Sequence, residues 1–400
     1  MKIVMISNYI NHHQIPFSNA LYEKEGVGYT FIQTEPMEEE RIKMGWGLDP
    51  KTLPYMRFLY EEEHTCKELI DTCDLLLVGW MEREDLIKER LEADRLTIRM
   101  SERLYREGQY KAVSPRGLIR KYKEHTKYRN GNVYLLCLGA YVASDFSIVK
   151  AYPDKMYRFG YFPETKKYEG NTLFLQKPSL DTIHIVWAGR FIPLKHPEFV
   201  TRLAKDLKSR NLAFHIHFIG SGEMEEMLLQ QREEWNLTEE ITMYGFMTPD
   251  KVRGIMEKSH VHLFTSNELE GWGAVVNEAM NSGCAEVANS EVGAVPFLIK
   301  HKQNGLIYKE GSYEDFLQQV LCLFEEKELI PKYGKAAYDT ILTEWNAEHA
   351  VSELLRFFEN WKCGKKEFPK SGPFSPAPVI APRKMYGVIT GNTVVEKKVR

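Results

Sequence analysis

Short apolar runs alternate with longer amphipathic patterns along most of the chain. In the first part, these runs lie at 2–7, 29–34, 74–80, 96–101 and 132–139. A second series lies at 184–190, 214–222, 241–246, 261–266, 285–290 and 305–308. Because the runs are continuously apolar rather than alternating, they predict strands that are buried on both faces of a parallel sheet. Amphipathic stretches such as HPEFVTRLAKDLKSR (196–210) predict the helices between them.

The alternation of strand and helix occurs in both halves of the chain, which predicts an α/β protein with two doubly wound, Rossmann-like domains. In such sheets, ligands bind beyond the carboxyl ends of the strands, so we expect the site in a deep cleft that the two domains face. The predicted parts are an N-terminal domain at 1–165, a polar linker at 166–180, a C-terminal domain at 181–344, a late helix at 345–362 and a Pro-rich, extended and flexible tail at 364–400.

Composition narrows the class of protein. A chain of 400 residues is too long for one ordinary core, and 43% hydrophobic with 27% charged residues is typical of a soluble globular protein. The net charge of −3 gives no reason to expect a nucleic-acid partner. The six cysteines form no C-x-x-C pair, and no apolar run approaches the roughly 20 residues of a transmembrane helix. We therefore expect a cytoplasmic protein, either free or attached peripherally to the inner face of the membrane.

Two short motifs in the second half could bind phosphate. Gly189-Arg190 ends one apolar run and Lys195 follows, so a guanidinium fork and an ammonium could hold a diphosphate. Gly220-Ser221-Gly222 ends the next run and would let the backbone approach a ligand closely. Each motif has an ordinary alternative. The cations could be solvated, and the glycines could serve a tight turn between strand and helix.

The stretch SNELEGWGAVVNEAMNSG (266–283) is the most informative part of the sequence. It predicts a helix that starts near the Gly-Trp-Gly and ends at Gly283, with unpaired N–H groups at its start. Glu270 precedes that start and Glu278 lies within the helix. Carboxylates accept hydrogen bonds from sugar hydroxyls, so the stretch could hold a sugar attached to a diphosphate. In the alternative interpretation, Glu270 complements the helix dipole and Glu278 is a surface residue.

Taken in order, these motifs resemble those of the retaining nucleotide-sugar glycosyltransferases of family 4, which have the GT-B fold. The family pattern E-G-F-G-x4-E-A-M-x-x-G is present as E-G-W-G-x4-E-A-M-N-S-G from Glu270. The resemblance covers roughly 183–362 and is only general over 1–163. Three departures stand out: Trp272 is usually Phe, Ala294 replaces a turn Gly, and Phe297 stands where many members have Glu.

The resemblance implies a role for individual residues. Arg190 and Lys195 would bind the donor diphosphate and stabilise the departing nucleotide. With Glu270, which would contact the donor sugar, they form the predicted catalytic set. Glu278 would bind the nucleotide ribose. The remaining predicted donor contacts are Gly189, Gly222, Tyr244, Phe246, Gly271, Trp272 and Gly273.

The expected activity is the transfer of a hexosyl or N-acetylhexosaminyl group from a UDP- or GDP-sugar, with retention of the anomeric configuration. The acceptor would be a glycan or lipid-linked glycan in bacterial surface polysaccharide or glycolipid synthesis. The chain contains no D-x-D motif, so we expect no metal site and no cofactor, with the nucleotide sugar as a co-substrate. Two alternatives stay open: a nucleotide-sugar epimerase of the same fold, and a non-catalytic binder of sugar nucleotides.

The acceptor side would lie at the strand ends of the first domain. Asn11, His12 and His13 follow the first run, and Glu102 and Arg103 follow the fourth. These polar side chains could hydrogen-bond a sugar or a phosphate. They could equally cap the next element.

The segment 103–129 is strongly basic and carries interleaved apolar residues. It holds nine Lys and Arg against Glu107 and Glu124. A basic, partly apolar helix can lie on an anionic membrane surface, which would suit a lipid-linked acceptor. A merely solvated helix is the alternative, and the negative net charge disfavours RNA binding.

Overall fold

The structure is a computed structural model that describes residues 1–38 and 49–391. The chain forms two compact units. The first contains Met1–Glu164 and Glu344–Ile380, and the second contains Thr165–Thr343 and the residues from Ala381 onward.

The first unit is built on a seven-stranded sheet in which every pairing is parallel. Its strands are β1 (Lys2–Ser7), β2 (Gly28–Gln33), β3 (Met56–Phe58), β4 (Leu75–Val78), β5 (Thr97–Ser101), β6 (Val133–Leu138) and β7 (Met156–Phe159). Their order across the sheet is β3-β2-β1-β4-β5-β6-β7. The helices between them are α1 (Ile15–Tyr22), α2 (Glu63–Thr72), α3 (Lys88–Glu92), α4 (Pro115–Glu124) and α5 (Val142–Ile148).

The second unit is built on a six-stranded parallel sheet. Its strands are β8 (Ile183–Ala188), β9 (Phe214–Ile219), β10 (Ile241–Gly245), β11 (Val261–Phe264), β12 (Ala285–Asn289) and β13 (Gly305–Tyr308), in the order β10-β9-β8-β11-β12-β13. Its helices are α6 (Thr172–Leu175), α7 (Glu198–Ser209), α8 (Glu225–Glu234), α9 (Pro249–Met256), α10 (Val275–Asn281), α11 (Val295–Leu298), α12 (Tyr313–Glu325) and α13 (Leu329–Thr343).

Two late helices complete the described chain. They are α14 (Ala347–Lys362), which corresponds to the predicted helix at 345–362, and α15 (Met385–Ile389). The Asn346 side chain caps α14 by accepting a hydrogen bond from the His349 N–H at 2.9 Å. Helix α14 belongs to the first unit and packs against α1.

The strand order defines where each sheet can bind a ligand. The connections run outward in opposite directions from β1 and β4 in the first unit, and from β8 and β11 in the second. Loops on either side of such a switch point diverge and leave a crevice at the carboxyl ends of the strands. The prediction of two doubly wound, parallel α/β sheets is confirmed, and each sheet has one such crevice.

The stretch predicted as a linker, 166–180, is part of the second unit. The Lys166 N–H donates to Asn281 Oδ1 at 2.8 Å, and the Tyr168 N–H donates to the Tyr338 hydroxyl at 2.9 Å. Leu173 of α6 is buried. This stretch is therefore held against the second unit by backbone hydrogen bonds and by the buried Leu173 side chain.

The Pro-rich segment predicted as an extended, flexible tail is attached to the first unit at 374–377. The Phe374 N–H donates to the Arg158 carbonyl at 2.9 Å, and the Arg158 N–H donates to the Ser375 carbonyl at 2.8 Å. The segment thus lies antiparallel beside β7, and the Phe374 ring is buried. β7 is an outermost strand of the sheet, and this stretch pairs with backbone groups that would otherwise face outward without a strand neighbour. Residues 392–400 lie outside the described residues.

The six cysteines are all free, and four of them are buried, as expected for reduced core thiols. Within residues 1–38 and 49–391, none of the helices combines the length and the apolarity that crossing a membrane requires.

Candidate active site

The loops that follow β8 and β11 are joined at the switch point of the second sheet. The Asn267 N–H donates to the Leu194 carbonyl at 2.9 Å. The Thr265 hydroxyl donates to the Lys195 carbonyl at 2.6 Å and accepts a hydrogen bond from Trp187 Nε1 at 2.8 Å. These bonds fix the position of the Lys195 backbone relative to the end of β11.

An ion pair lies at this junction. Lys195 Nζ contacts a carboxylate oxygen of Glu270, and the two side chains are only 16% and 17% exposed. Glu270 is positioned by a turn in which its own N–H donates to the Asn267 carbonyl at 3.0 Å. Asn267 Oδ1 also accepts the Leu269 N–H at 3.0 Å. The structure therefore brings together two of the three residues predicted to be catalytic.

Arg190, the third residue of this set, lies on the same loop as Lys195. Its side chain is exposed, and it forms no ion pair with any residue that the structure describes. An exposed guanidinium on the loop that carries Lys195 leaves one cation available to an anionic ligand. Its predicted contact with a diphosphate stays a prediction.

The Gly-Ser-Gly turn after β9 packs directly on the loop after β8. A Cβ on Gly220, whose φ is +143°, would lie 1.8 Å from the Gly189 carbonyl oxygen. A Cβ on Gly222, whose φ is +154°, would lie 2.5 Å from the Phe191 carbonyl oxygen. The close approach of two backbones therefore accounts for these glycines. Contacts of Gly189 and Gly222 with a donor stay predictions.

Packing of Trp272 and Gly273 against neighbouring residues determines the conformation of the Gly-Trp-Gly turn before α10. Trp272 is 2% exposed, and its indole N–H donates to Asn277 Oδ1 at 2.9 Å. Gly273 has a φ of +87°, and a Cβ there would lie 2.3 Å from the Phe264 ring. Trp272 thus fills the turn rather than presenting its ring to solvent. The N–H groups of Gly271 and Gly273 donate no hydrogen bond to the residues that are described.

Glu278 lies on α10 with a partly exposed side chain. Burial raises the pKa of its carboxyl group, and the nearby Arg253 and His262 oppose that shift. Within the described part of the chain, its carboxylate accepts no hydrogen bond and forms no ion pair. A carboxylate in this state can accept hydrogen bonds from ligand hydroxyls, as its predicted role in ribose binding requires.

Two aromatic side chains, Tyr244 and Phe246, lie at the carboxyl end of β10. Phe246 is 65% exposed, and Tyr244 is exposed as well, with its hydroxyl 2.9 Å from His217 Nδ1. Exposed rings at the carboxyl end of a strand can stack on a flat ligand group. Their contact with a nucleotide base stays a prediction.

The loop after β1 holds the first group of predicted acceptor contacts. Asn11 Oδ1 accepts the His13 N–H at 3.0 Å, so Asn11 shapes the turn that leads into α1. Burial, together with the neighbouring His12, lowers the pKa of His13 to about 3. His13 is therefore neutral at physiological pH, while the His12 side chain is exposed. Binding of an acceptor by these residues stays a prediction.

The second group follows β5 and is engaged within the first unit. Glu102 accepts a hydrogen bond from the Tyr161 hydroxyl at 2.9 Å and forms an ion pair with Arg106. Arg103 Nε lies 3.3 Å from the fully buried Asp145 carboxylate, and the Arg103 side chain is itself buried. This internal ion pair accounts for Arg103 without any ligand, and its acceptor role stays a prediction.

Trp80 is a candidate that the sequence analysis missed. It follows β4 at the switch point of the first sheet, and its side chain is 62% exposed. The Asn8 N–H donates to the Trp80 carbonyl at 2.7 Å, which joins the loops after β1 and β4. An exposed indole at this position can stack on a sugar ring. Its signal in the sequence was a Trp that ends the apolar run 74–80.

Glu310 is a second candidate without a sequence signal. It follows β13, and its Oε2 accepts a hydrogen bond from Asn289 Nδ2 at 2.5 Å. The Asn289 amide also donates to the Ser266 carbonyl at 2.9 Å. Burial raises the pKa of Glu310 to about 7, with Glu268 adding to the effect. An acid that changes charge near neutral pH therefore lies at the same end of the second sheet.

Within residues 1–38 and 49–391, no three His, Cys, Asp or Glu side chains are grouped so that they could hold a metal ion. The prediction of metal-independent chemistry stays untested by this observation.

Comparisons with known proteins agree with this fold. Residues 175–340 match the family described as "Glycosyl transferases group 1". Over 174 residues, the chain is 24% identical to poly(ribitol-phosphate) alpha-N-acetylglucosaminyltransferase of Staphylococcus aureus, which covers 43% of this chain and 34% of that protein. The chain spans between 34% and 45% of the length of the curated relatives that it matches.

Solved structures match over both units. Anabaena HepE in complex with UDP superposes with a TM-score of 0.62 at 12% identity, covering 89% of this chain and all 100% of that chain. The apo form of the lipopolysaccharide outer core galactosyltransferase WaaB gives a TM-score of 0.64 at 14% identity, covering 90% of this chain and 98% of that one. At such low identity these likenesses show the fold alone, with its two Rossmann-like sheets of the GT-B type. Residues 175–340 are thus similar to the group 1 glycosyl transferases, and both units share the GT-B fold.

Proposed function

We propose that this protein transfers a hexosyl or N-acetylhexosaminyl group from a nucleotide sugar to a glycan acceptor and retains the anomeric configuration. The observation that carries the proposal is the Lys195–Glu270 ion pair at the switch point of the second sheet, with the exposed Arg190 on the same loop as Lys195. This is the crevice where doubly wound sheets bind nucleotides. The match to the group 1 glycosyl transferases over this unit supports the same activity.

The two cations supply the main chemical assistance. The acceptor oxygen forms a bond to the anomeric carbon while the bond from that carbon to the diphosphate oxygen breaks, and its electron pair stays on the diphosphate. Arg190 and Lys195 stabilise the negative charge that develops there, which is preorganised electrostatic catalysis. The proton of the acceptor hydroxyl passes to a phosphate oxygen. Attack from the face that the nucleotide leaves gives retention.

The two carboxylates have separate tasks in this proposal. Glu270 holds Lys195 in place through the ion pair and provides negative charge near the anomeric carbon, where positive charge develops. Glu278, whose carboxylate has no partner among the described residues, accepts hydrogen bonds from ribose hydroxyls. They are not an acid–base pair.

The likeness to known proteins supports the substrate classes. The neighbour HepE binds UDP, and the S. aureus relative is named as an N-acetylglucosaminyltransferase that acts on a polymer. We therefore propose a UDP-sugar, or the related GDP-sugar, as donor and a glycan or lipid-linked glycan of a bacterial surface polysaccharide as acceptor. Because Arg190 and Lys195 provide the positive charge, the reaction needs neither a metal ion nor a cofactor.

The test combines turnover, product analysis and variants. The full chain is incubated in EDTA with UDP- and GDP-sugars and a panel of glycan acceptors, and nucleotide release is measured. NMR of the product gives the anomeric configuration. We expect Arg190→Ala and Glu270→Gln to lower the rate at least about 100-fold. The matched controls Arg210→Ala and Glu226→Gln change exposed residues of the same unit and should keep the wild-type rate.

Other outcomes would replace the proposal. Conversion of the donor with no acceptor present would indicate an epimerase. Nucleotide-sugar binding without hydrolysis or transfer under every condition would indicate a non-catalytic binder. A product of inverted anomeric configuration would contradict the retaining mechanism. A rate that EDTA abolishes would contradict metal independence. In both cases the protein would still be a glycosyltransferase.

A further inference from the structure

Helix α4 presents its apolar side chains to solvent. Ile119 and Tyr122 are each 58% exposed, and Leu118 is exposed as well. Just before the helix, Val113 is 80% and Tyr110 is 70% exposed. Five large exposed hydrophobic side chains thus fall within 110–122, whereas the others in the described residues are scattered. We call this group the α4 patch.

The orientation of the helix is the reverse of an ordinary amphipathic surface helix. At 100° per residue, Gly117, Lys121 and Glu124 share one face, and these are the less exposed residues of the helix. Ile119 and Tyr122 point the opposite way. No residue of α4 is fully buried. A helix that turns its small and charged residues inward and its aliphatic residues outward has an apolar face that nothing in the described chain covers.

Cationic side chains lie around the α4 patch, but fewer of them are free of ion pairs than the nine Lys and Arg of 103–129 would suggest. Six of the nine cations of 103–129 form ion pairs, including Lys127 with Glu92 and Arg103 with Asp145, which lie outside the segment. Arg116, Lys123 and Arg129 form no ion pair with described residues. Arg116 and Lys123 are exposed on the outward side of α4. The free charge on this side is therefore positive.

We propose that the α4 patch docks the protein on the surface of an anionic lipid bilayer. Aliphatic side chains with interleaved tyrosines suit the boundary between headgroups and acyl chains, where the tyrosine hydroxyl stays hydrated. Arg116 and Lys123 pair with anionic headgroups at the same depth. The helix is only ten residues long, so it lies in the interface and does not cross the membrane. This proposal goes beyond the proposed activity and does not rest on it.

The test is co-sedimentation of the full chain with phosphatidylcholine vesicles that contain or lack phosphatidylglycerol. We expect binding only to the anionic vesicles, and less of it at high salt. The charge variant Arg116→Glu/Lys123→Glu should bind at least about tenfold more weakly. Its control, Lys251→Glu/Lys332→Glu, changes two exposed lysines of the second unit by the same net charge and should bind as the wild type does.

A second pair of variants separates insertion from simple charge attraction. Ile119→Ser/Tyr122→Ser should also weaken binding to anionic vesicles, whereas Leu229→Ser, at an exposed leucine of α8, should not. Absence of binding to anionic vesicles, or equal binding by all variants, overturns the proposal. Self-association in ultracentrifugation without lipid, abolished by Ile119→Ser/Tyr122→Ser, would instead assign the patch to a second copy of the chain.

Discussion

Lys195 and Glu270 form an ion pair although 75 positions separate them in the chain. They meet because β8 and β11 are neighbours in the second sheet, and Lys195 and Glu270 lie on the loops that follow these strands. Both side chains are largely shielded from water, so their mutual attraction is stronger than that of an exposed pair. The pair holds an ammonium group in place before any ligand arrives.

Glu278 is expected to contribute to donor affinity rather than to the chemical step. Glu278→Gln removes a charged acceptor of hydrogen bonds, so the dissociation constant of the nucleotide should rise about tenfold or more. The value of kcat at saturating donor should change little. Calorimetric titration with UDP and GDP, followed by donor-dependent kinetics, measures both effects.

The matched change is Glu226→Gln, which alters an exposed glutamate on α8 of the same unit. This control should bind nucleotide with wild-type affinity. If Glu278→Gln also bound with wild-type affinity, the ribose role of Glu278 would be wrong.

Trp80 is expected to act on acceptor binding. Trp80→Ala removes an exposed ring at the switch point of the first sheet, so kcat/KM for the acceptor should fall about three- to tenfold. The KM for the donor should stay unchanged because donor contacts are assigned to the second unit. Tyr22→Ala is the control, since Tyr22 is also exposed but lies at the far end of α1. Equal effects of the two changes would remove Trp80 from the acceptor site.

His260 makes the stability of the second unit depend on pH. Its Nδ1 accepts the His184 N–H at 2.9 Å, while its Nε2 lies 3.0 Å from the Pro178 carbonyl and donates to it. Burial lowers the pKa of His260 from 6.5 to about 4. Protonation of Nδ1 would break the first bond. The unfolded chain therefore binds the proton more readily between these two pH values, and stability is lost as pH falls from 6.5 to 4.

The expected size follows from the two pKa values. Between pH 7.5 and pH 5, His260 alone should lower the free energy of unfolding by about 2 kcal/mol. In His260→Asn, the loss of unfolding free energy between pH 7.5 and pH 5 should be smaller by roughly that amount. Urea unfolding at both pH values measures it, with His64→Asn, at an exposed histidine, as control. An unchanged pH dependence in His260→Asn would refute the assignment.

The contact between Gly220 and Gly189 predicts an unusually costly glycine substitution. In Gly220→Ala, the new Cβ would meet the Gly189 carbonyl at 1.8 Å, so the loops after β8 and β9 must separate. Gly245→Ala is the matched change, since Gly245 has a φ of +65° but a Cβ there would meet no atom within 4 Å. We expect Gly245→Ala to lower the free energy of unfolding by about 1–2 kcal/mol and Gly220→Ala to lower it by more. The melting temperatures of the two variants measure this difference. Equal melting temperatures would contradict the prediction, because they would mean that the clash at Gly220 adds no cost.

The sequence predicted the buried strands well but missed β3 and β7, the two edge strands of the first sheet. Central strands such as β1 and β4 are buried on both faces, so their apolar runs are continuous and visible. β3 and β7 were missed because they are short and carry exposed or partly exposed residues such as Arg57 and Arg158. The attachment of 374–377 beside β7 was also missed, since it depends on pairing between distant backbone segments.

The candidate site shows the same division. Motif order predicted a set of residues of the second unit as one site, and the structure brings two of them, Lys195 and Glu270, together. The packing roles of Trp272 and Gly220 could not be predicted, because they depend on which loops touch. The ion pair of Arg103 could not be predicted for the same reason, since its partner Asp145 lies 42 positions away in the chain.

The most direct test of the account is the turnover of the nucleotide sugar by Lys195→Ala. With Lys195 removed, the charge on the departing diphosphate loses a fixed cation, so kcat/KM for the donor should fall at least about 100-fold while the fold is kept. Lys251→Ala, at an exposed lysine of the same unit, should retain the wild-type value. A folded Lys195→Ala protein that releases nucleotide at the wild-type rate would contradict the central claim.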